Sequence, residues 1–501
     1  MLEYLFQALT PLNVMLALAG VVAGTVIGSL PGLTATMAVA VLVPITFTMP
    51  VTSALIMLGA IYTGAIYGGA YAAILLNTPG TPSAIATTFD GYPMAKRGDG
   101  DLAVTLACLA SVVGGLVGGL FLLLLAPPLA EIALAFGPSE YFWMALFGLT
   151  LIAALSEANL IKGLIGGCFG LLLACVGSAA VSGDIRFTFG STTMIGGIET
   201  VSALIGLYCI PVLIDLVSEP GRHLNVTGEQ RGYRFREAIA ISWRGKFNLI
   251  RSSIIGTFVG ILPGAGGSIA GLVSYSEARR AARDKSLFGK GAPEGVQATE
   301  SANNATVGGG FVPTLVLGIP GTPPDAVILG ALMVHGLRVG PDMFNSGGSI
   351  VYTFIFGLLI ATLLMLPAGL LIGRYAYRFI IAIPKALLVP SVAFMTIIGA
   401  YSIRNSISDV FIMLILGVLS WVLNRFGFSP SPIVLGLILG RIAEEGFVQS
   451  WTIGAATGDL FGMFFERPIS MTIIAAITLG LFYPLMAKQI RLKRVQQELV
   501  E

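Results

Sequence analysis

The stretch Leu75–Ser83, with the sequence LLNTPGTPS, recurs as Leu317–Asp325, with the sequence LGIPGTPPD. A second recurring string precedes each copy, GSLPG at Gly28–Gly32 and GILPG at Gly260–Gly264. Proline removes a backbone donor and glycine frees φ, so both strings predict interruptions of helices. In lipid, an interrupted helix is tolerated only where protein or a water-filled cavity satisfies the freed backbone groups. Paired interruptions in two halves of a membrane chain therefore indicate a transporter's binding site.

The composition places the chain in a membrane. Hydrophobic residues make up 55% of the sequence, charged residues 11%, and the mean hydropathy is +0.88. A soluble domain carries roughly 25% charged residues. The apolar runs are continuous, which predicts helices and not a barrel of alternating strands. We expect an all-α polytopic membrane protein with roughly 10–12 transmembrane helices, including discontinuous helices or re-entrant hairpins.

Several function classes are disfavoured by the sequence. The net charge is +2, and no Lys/Arg cluster is interleaved with aromatic residues, so we expect no nucleic-acid partner. The chain has two histidines and no HExxH motif, and its four cysteines lie in apolar runs without metal-ligand spacing. We therefore expect no bound metal centre, no cofactor and no enzymatic activity.

The recurring strings divide the chain into two predicted repeats. We predict a first transmembrane repeat at 1–218, a basic linker at 219–249, a second repeat at 250–487 and a charged tail at 488–501. The positive-inside rule places the linker and the tail in the cytoplasm, which requires an even number of crossings in the second repeat. A simple inverted repeat has an odd number. We favour inversion by analogy with other transporters, while the charge pattern leaves the orientation open.

Side chains beside the interruptions form the predicted binding site. Carbonyls freed before a break, together with Thr and Asn oxygens, suit sodium, and helix N-termini after a break suit an anion. The first-repeat candidates are Pro31, Gly32, Thr34, Thr36, Asn77, Thr78, Pro79, Gly80, Thr81 and Ser83. The second-repeat candidates are Pro263, Gly264, Gly266, Gly267, Ser268, Pro320, Gly321, Thr322 and Asp325. We place a hypothetical sodium ion near Asn77, Thr78 and Thr322.

A polar segment with the sequence ESANNAT precedes the fourth interruption, and its Glu300, Asn303 and Asn304 are further candidates. These side chains line a cavity on one interpretation and mark the cytoplasmic end of a helix on the other. Asp325 also has two interpretations. It caps the helix that follows, or it ligates a cation or a proton.

These motifs resemble those of the large membrane subunit of the bacterial tripartite tricarboxylate transporters. The resemblance rests on the Leu-Pro-Gly strings, NTPGTP, DGYP at Asp90–Pro93, Glu294 followed by ESANN, and GIPGTP, and it covers nearly the whole chain. It implies a multi-pass secondary transporter of the bacterial inner membrane that takes up citrate and related carboxylates with sodium or protons. It also implies two protein partners, a small four-helix membrane subunit and a periplasmic solute-binding protein.

Two alternative functions remain open at this point. A membrane-embedded hydrolase would need a nucleophile, acid or metal constellation, which the sequence lacks. An anion channel would show neither substrate saturation nor ion coupling. The choice between sodium and proton coupling is also open.

Overall fold

A computed structural model describes residues 1–78, 80–155, 160–179, 181–218, 234–337, 339–345, 347–373 and 384–480 of the chain. Pro79 of the predicted site lies outside the described residues. So do 219–233 of the predicted linker, 481–487 of the second predicted repeat and the whole predicted tail.

Helices account for nearly all regular structure in these ranges, which confirms the predicted all-α class. Two strands, Gly177–Ser178 and Ile185–Arg186, pair antiparallel. Short 3₁₀ helices occupy Val43–Thr48, Pro82–Ala84, Thr192–Gly196 and Lys285–Leu287. The α-helices are α1 (Leu2–Ala8), α2 (Pro11–Ser29), α3 (Ala35–Leu42), α4 (Val51–Leu76), α5 (Ile85–Lys96), α6 (Gly100–Ala133), α7 (Pro138–Leu155), α8 (Leu160–Ala174), α9 (Thr200–Ser218), α10 (Phe235–Arg244), α11 (Lys246–Ile261), α12 (Gly266–Ala281), α13 (Pro293–Leu317), α14 (Pro323–Val334), α15 (Asp342–Asn345), α16 (Gly348–Leu371), α17 (Lys385–Arg404), α18 (Ile407–Arg425), α19 (Pro430–Thr457), α20 (Leu460–Phe465) and α21 (Pro468–Gly480).

Seven helices of the described chain are long and apolar enough to cross a membrane, namely α2, α4, α6, α9, α16, α17 and α18. Shorter apolar helical segments cover Ala35–Thr48, Leu160–Ala174, Pro323–Val334 and Pro468–Gly480. α13 has 25 residues, enough to span about 37 Å at 1.5 Å per residue, but its Glu, Asn, Ser and Thr side chains make it less apolar. The protein is thus a multi-pass helical membrane protein. The total of roughly 10–12 spans stays a prediction.

The chain divides into two compact units by its internal contacts. The first unit comprises Met1–Glu131 and Val201–Trp421, and the second comprises Ile132–Thr200 and Val422–Glu501. All candidate site residues belong to the first unit. These units are defined by contact and not by sequence similarity, so the two predicted repeats stay a prediction.

Two buried helices, α4 and α13, form the centre of the first unit. Helix α2 packs against α4, and helix α11 packs against α13. Glycines allow the backbones to approach closely. A Cβ atom on Gly28 of α2 would collide with the carbonyl oxygen of Ala65, and one on Gly260 of α11 would lie 2.7 Å from that of Thr306. The same kind of contact at matched positions supports the predicted repeat.

In the second unit, α7 and α8 pack against α19. A fully buried carboxylate, that of Glu140, organises the start of α7. It accepts hydrogen bonds from the backbone N–H of Gly137 and the hydroxyl of Ser470, both at 2.8 Å, and pairs with Arg467 Nε at 2.9 Å. Because this buried charge is paired and hydrogen-bonded, a structural role in joining α7 to α21 accounts for it.

Candidate functional site

Each of the four Pro/Gly strings interrupts a helix, so the predicted discontinuous helices are confirmed. We name the interruptions in chain order. The first break (30–34) separates α2 from α3, and the second break (77–81) follows α4. The third break (262–265) separates α11 from α12, and the fourth break (318–322) separates α13 from α14.

The first and third breaks have the same local cause. Each begins with an extended leucine, followed by proline and then by a glycine in the left-handed region, Gly32 at φ +92° and Gly264 at φ +85°. Glycine adopts this conformation without steric cost, whereas a residue with a Cβ atom does not. The chain therefore leaves the helix at the string and begins a new helix within a few residues.

The second and fourth breaks begin at left-handed C-caps, Asn77 at φ +54° and Gly318 at φ +69°. Asn77 is exposed, so its position is that of a helix cap. Gly80 and Gly321 then press the chain against a neighbouring helix end. A Cβ atom on Gly80 would lie 2.5 Å from the carbonyl oxygen of Gly28, and one on Gly321 would lie 2.7 Å from that of Gly260. The second break thus packs on the end of α2, and the fourth on the end of α11.

The third and fourth breaks are also joined by a backbone hydrogen bond. The N–H of Gly264 donates to the carbonyl oxygen of Gly321 at 2.8 Å. A carbonyl freed at one break is thereby satisfied by an amide freed at another, which is the internal compensation that a lipid-embedded break requires.

Contacts also join breaks of the two predicted repeats. A Cβ atom on Gly267 of α12 would lie 2.8 Å from Cβ of Ser83, which follows the second break. The hydroxyl of Tyr62 on α4 lies 2.8 Å from Oγ1 of Thr322 in the fourth break. The methyl group of Thr322 lies 4.0 Å from the position of a Cβ on Gly266. The second, third and fourth breaks therefore meet in one region, with the first break adjoining the second.

The N-terminus of α12 brings unpaired polar groups into this region. Its N-cap position, Ala265, has no side chain that can bond the free N–H groups of the first turn. Asn303 of α13 is fully buried, and neither its Oδ1 nor its Nδ2 has a hydrogen-bond partner among the described residues. Its Oδ1 packs directly against Gly267, and Ser83 contacts the same glycine. Free amides, an unpaired carboxamide and a hydroxyl together can bind a carboxylate.

Asp325 bonds to the N-cap residue of α14 through one of its two carboxylate oxygens. Thr322 is the N-cap residue of α14, and its Oγ1 donates to Asp325 Oδ2 at 2.6 Å, so the carboxylate does take part in the cap. Its Oδ1 is buried and has no partner among the described residues. The second oxygen remains free to bind a cation or a proton, and that role stays a prediction.

The three polar candidates of α13 face three different neighbours. Asn304 bonds to Thr63 of α4, whose Oγ1 donates to Asn304 Oδ1 at 2.6 Å. Glu300 Oε1 lies 2.5 Å from Oγ1 of Thr87 of α5, and its Oε2 accepts a hydrogen bond from Ser111 of α6 at 3.1 Å. Asn303 faces the N-terminus of α12. All three lie fully buried inside the unit, which excludes the interpretation that they mark an exposed helix end.

Other candidates have local roles in the described structure. Thr34 caps α3 by accepting from Met37 N at 3.2 Å, and Thr36 is buried in the first turn of α3. Thr78 bonds to the carbonyl oxygen of Leu76 at 3.4 Å, whereas Thr81 and Ser83 share a 2.9 Å hydrogen bond. Ser268 is half-buried in α12. The sodium ion placed near Asn77, Thr78 and Thr322 stays a prediction.

No group of three or more His, Cys, Asp and Glu side chains is positioned to hold a metal ion in the part of the chain that the structure describes. Sequence reasoning missed Tyr62, Thr63, Thr87 and Ser111. For the first two a signal existed, since Tyr62 and Thr63 precede Asn303 and Asn304 by the offset of 241 residues that separates the two PGTP strings. For Thr87 and Ser111 the sequence gives no signal, because hydroxyls are common on buried transmembrane helices.

Comparison with known proteins identifies the family. The family model described as "Tripartite tricarboxylate transporter TctA family" matches residues 14–435. A relative from Agrobacterium vitis, an uncharacterized 52.8 kDa protein in the TAR-I ttuC' 3'region, is 38% identical over 470 residues, which cover 93% of this chain and 92% of the relative. Another, from the TAR-II ttuC' 3'region of the same organism, is 36% identical over 244 residues, 48% of this chain and 98% of the relative. No solved structure gives a significant match. The chain therefore belongs to the TctA family of tripartite tricarboxylate transporters.

Proposed function

We propose that the chain is the large permease subunit of a binding-protein-dependent secondary transporter that takes up tricarboxylates or related organic carboxylates. Membership of the family makes it a subunit of a tricarboxylate transporter. The substrate class, the coupling and the dependence on a binding protein are the proposal. The observation that carries it is the unpaired Asn303 carboxamide beside the uncapped N-terminus of α12.

A carboxylate fits this place for a physical reason. The first N–H groups of a helix carry partial positive charge and need acceptors. Asn303, whose Oδ1 lies against Gly267, also carries an unpaired Nδ2 that is available as a further donor. Ser83, which follows the second break, has its Cβ next to Gly267 and adds a hydroxyl to the same region. Such donors hold an anion without a fixed cation, so the substrate can leave again.

The buried charges support cation coupling. Within the described residues, the buried carboxyl groups are those of Asp90, Glu140, Glu300, Asp325 and Asp409, and arginines pair with Glu140 and Asp409, which leaves Asp90, Glu300 and Asp325 without a cationic side chain. An anionic substrate that enters such an interior needs a compensating cation, because an unpaired buried charge costs several kcal/mol. We propose sodium or a proton for this role, with the free Oδ1 of Asp325 and the hydroxyl of Thr322 as candidate sodium ligands.

The partners and the location complete the proposal. The family name denotes a tripartite system. We propose that the other two components are a small four-helix membrane subunit and a periplasmic solute-binding protein, and that the bilayer is the bacterial inner membrane. Arg279, Arg280, Arg283, Lys285 and Lys290 follow α12 or end it, and the positive-inside rule places them in the cytoplasm.

Uptake into membrane vesicles tests the proposal. Vesicles from cells that express the chain with its two partners are supplied with labelled citrate while the sodium gradient and the proton gradient are collapsed in turn. We expect saturable uptake that needs the binding protein and one of the gradients. Flux that neither saturates nor responds to a gradient would indicate a channel, and conversion of the substrate without transport would indicate a hydrolase.

A further inference from the structure

Among the described residues, Glu300 contacts hydroxyl groups and no cationic side chain. It is fully buried in the middle of α13, and its two oxygens contact Thr87 Oγ1 and Ser111 Oγ. Glu300 is the eighth residue of α13, beyond the first turn of its own helix, and its partner Thr87 lies in the first turn of α5. A buried carboxylate without a cationic partner is costly to ionise.

The number of hydroxyl hydrogens available to these contacts favours a protonated carboxyl group. Thr299 Oγ1 donates its hydrogen to the carbonyl oxygen of Val296 at 3.0 Å, which leaves that oxygen as an acceptor. Thr87 Oγ1 lies 3.0 Å from Thr299 Oγ1 and 2.5 Å from Glu300 Oε1, but it has one hydrogen. If Glu300 is ionised, the single hydroxyl hydrogen of Thr87 can be donated to only one of these two oxygens.

A proton on Glu300 removes the conflict. Glu300 Oε1–H then donates to Thr87 Oγ1, Thr87 donates to Thr299, and Thr299 donates to Val296. Ser111 meanwhile donates to Oε2. All four contacts are hydrogen bonds at once only in this state, because ionised Glu300 leaves three hydrogens for four contacts.

We infer that Glu300 is the proton carrier of this transporter, held in its protonated form by the hydroxyl chain of Thr87, Thr299 and Ser111. The inference deepens the proposed function and rests on it. On release, the O–H bond of Glu300 breaks and the proton passes to water. The hydroxyl hydrogen of Thr87 then turns from Thr299 to Glu300. Release of the proton therefore loses the hydrogen bond between Thr87 and Thr299.

The groups that face this network are few in the described structure. Cys108 lies one turn before Ser111 on α6, close to Glu300 and to Tyr67 of α4, and its thiol donates to the carbonyl oxygens of Met365 and Leu366 at 3.8 Å. Asp90 follows Thr87 by one turn of α5, and its Oδ1 accepts three loop amides. Neither thiol nor tyrosine carries a positive charge, so they do not compensate an ionised Glu300.

Two partial reactions separate this role from a structural one. In vesicles with the assembled transporter, Glu300→Gln mimics the protonated side chain. We expect it to exchange internal for external labelled citrate within about twofold of the parent rate and to lose net proton-driven uptake by about tenfold or more. Glu294→Gln, an exposed carboxyl on the same helix, is the matched control and leaves both reactions unchanged.

A second variant tests the hydroxyl chain. Thr299→Val removes the competing acceptor, so Thr87 can donate to ionised Glu300 without giving up another hydrogen bond. We therefore expect the pH midpoint of net uptake to move to lower pH. Thr299→Ser keeps the acceptor and the midpoint. Infrared difference spectra of the assembled transporter add a readout that does not depend on transport, since the band of a protonated carboxylic acid at neutral pH must vanish in Glu300→Gln.

The possible outcomes separate the inference from the proposed function. The role of Glu300 is overturned if the infrared band of the protonated acid persists unchanged in Glu300→Gln. It is also overturned if Glu300→Gln retains net uptake with the parent pH profile. Parent uptake that follows the sodium gradient and ignores the proton gradient overturns it as well, and leaves carboxylate transport intact. Absence of citrate exchange by the parent contradicts the proposed function, whatever the infrared band shows.

Discussion

Thr63 of α4 and Asn304 of α13 bond to each other, with Thr63 Oγ1 donating to Asn304 Oδ1 at 2.6 Å. The two residues stand 241 residues apart, the same offset as the two PGTP strings. Contact between equivalent positions is what a two-fold axis between α4 and α13 produces. The bond thus supports the predicted repeat.

The adjacent residues Asn303 and Asn304 should respond oppositely to the same change. Replacing Asn304 with leucine leaves Thr63 without its partner, so we expect the free energy of unfolding to fall by about 1–3 kcal/mol. Replacing Asn303 with leucine removes a buried group that has no partner, so stability should stay the same or rise. Citrate exchange should nevertheless be lost in Asn303→Leu. Thermal unfolding in detergent and exchange in vesicles measure the two effects, and an equal loss of stability in both variants would count against the assignment.

Gly80 and Gly321 should not tolerate a side chain. A Cβ atom at either position meets a carbonyl oxygen of a neighbouring helix end, at 2.5 Å and 2.7 Å respectively. We expect Gly80→Ala and Gly321→Ala each to lower stability by about 1–3 kcal/mol. We also expect both to abolish transport, because the added methyl group pushes each break away from the helix end on which it packs. Gly348→Ala is the control, since the nearest atom to its Cβ lies at 3.6 Å. Normal transport by both break variants would refute the close packing of the breaks.

The hydroxyl of Tyr62 should tune the Thr322–Asp325 pair. Thr322 gives its one hydrogen to Asp325, so Tyr62 donates to Thr322. In Tyr62→Phe we expect a loss of about 0.5–1.5 kcal/mol in stability and a weaker dependence of uptake on the coupling ion. Tyr352→Phe, whose ring stacks on Tyr4 at 5.6 Å, serves as the control. An unchanged ion dependence in Tyr62→Phe would separate this pair from coupling.

Asp90 should fix the basic loop between α12 and α13. Its Oδ1 accepts the backbone N–H groups of Gly289, Gly291 and Ala292 at 2.7–2.8 Å. Because hydrogen bonds to a charged acceptor contribute about 1.5–3 kcal/mol, Asp90→Ala should release the loop and expose it to trypsin, with Asp90→Asn in between. Digestion of the detergent-solubilised protein measures this effect. Cleavage as slow as in the parent would contradict it.

Asp284→Ala is the control for the loop experiment. Asp284 is exposed and bonds only locally, to the amide and hydroxyl of Ser286 at 2.9 Å and 2.6 Å. Hydrogen bonds from Ser286 hold the pKa of Asp284 below its usual range. Its loss should therefore leave the rate of cleavage near that of the parent.

The sequence predicted the helical class and the positions of the breaks because these depend on local chemistry. Proline and glycine at Pro31–Gly32 and Pro263–Gly264 interrupt a helix wherever they stand. The sequence did not predict the different roles of Glu300, Asn303 and Asn304. Three residues within one turn or so of a helix face different neighbours, and which neighbour each meets depends on how α4, α5 and α12 pack around α13.

Protection of a cysteine by substrate tests most directly whether the breaks form the carboxylate site. Ser83→Cys and Ser268→Cys are made in a transporter whose four native cysteines are replaced, with Ser349→Cys, on the exposed start of α16, as the control. We predict that citrate slows maleimide labelling at positions 83 and 268 and leaves position 349 unaffected. Labelling of all three at the same rate with and without citrate, in a preparation that transports citrate, would show that the substrate binds elsewhere.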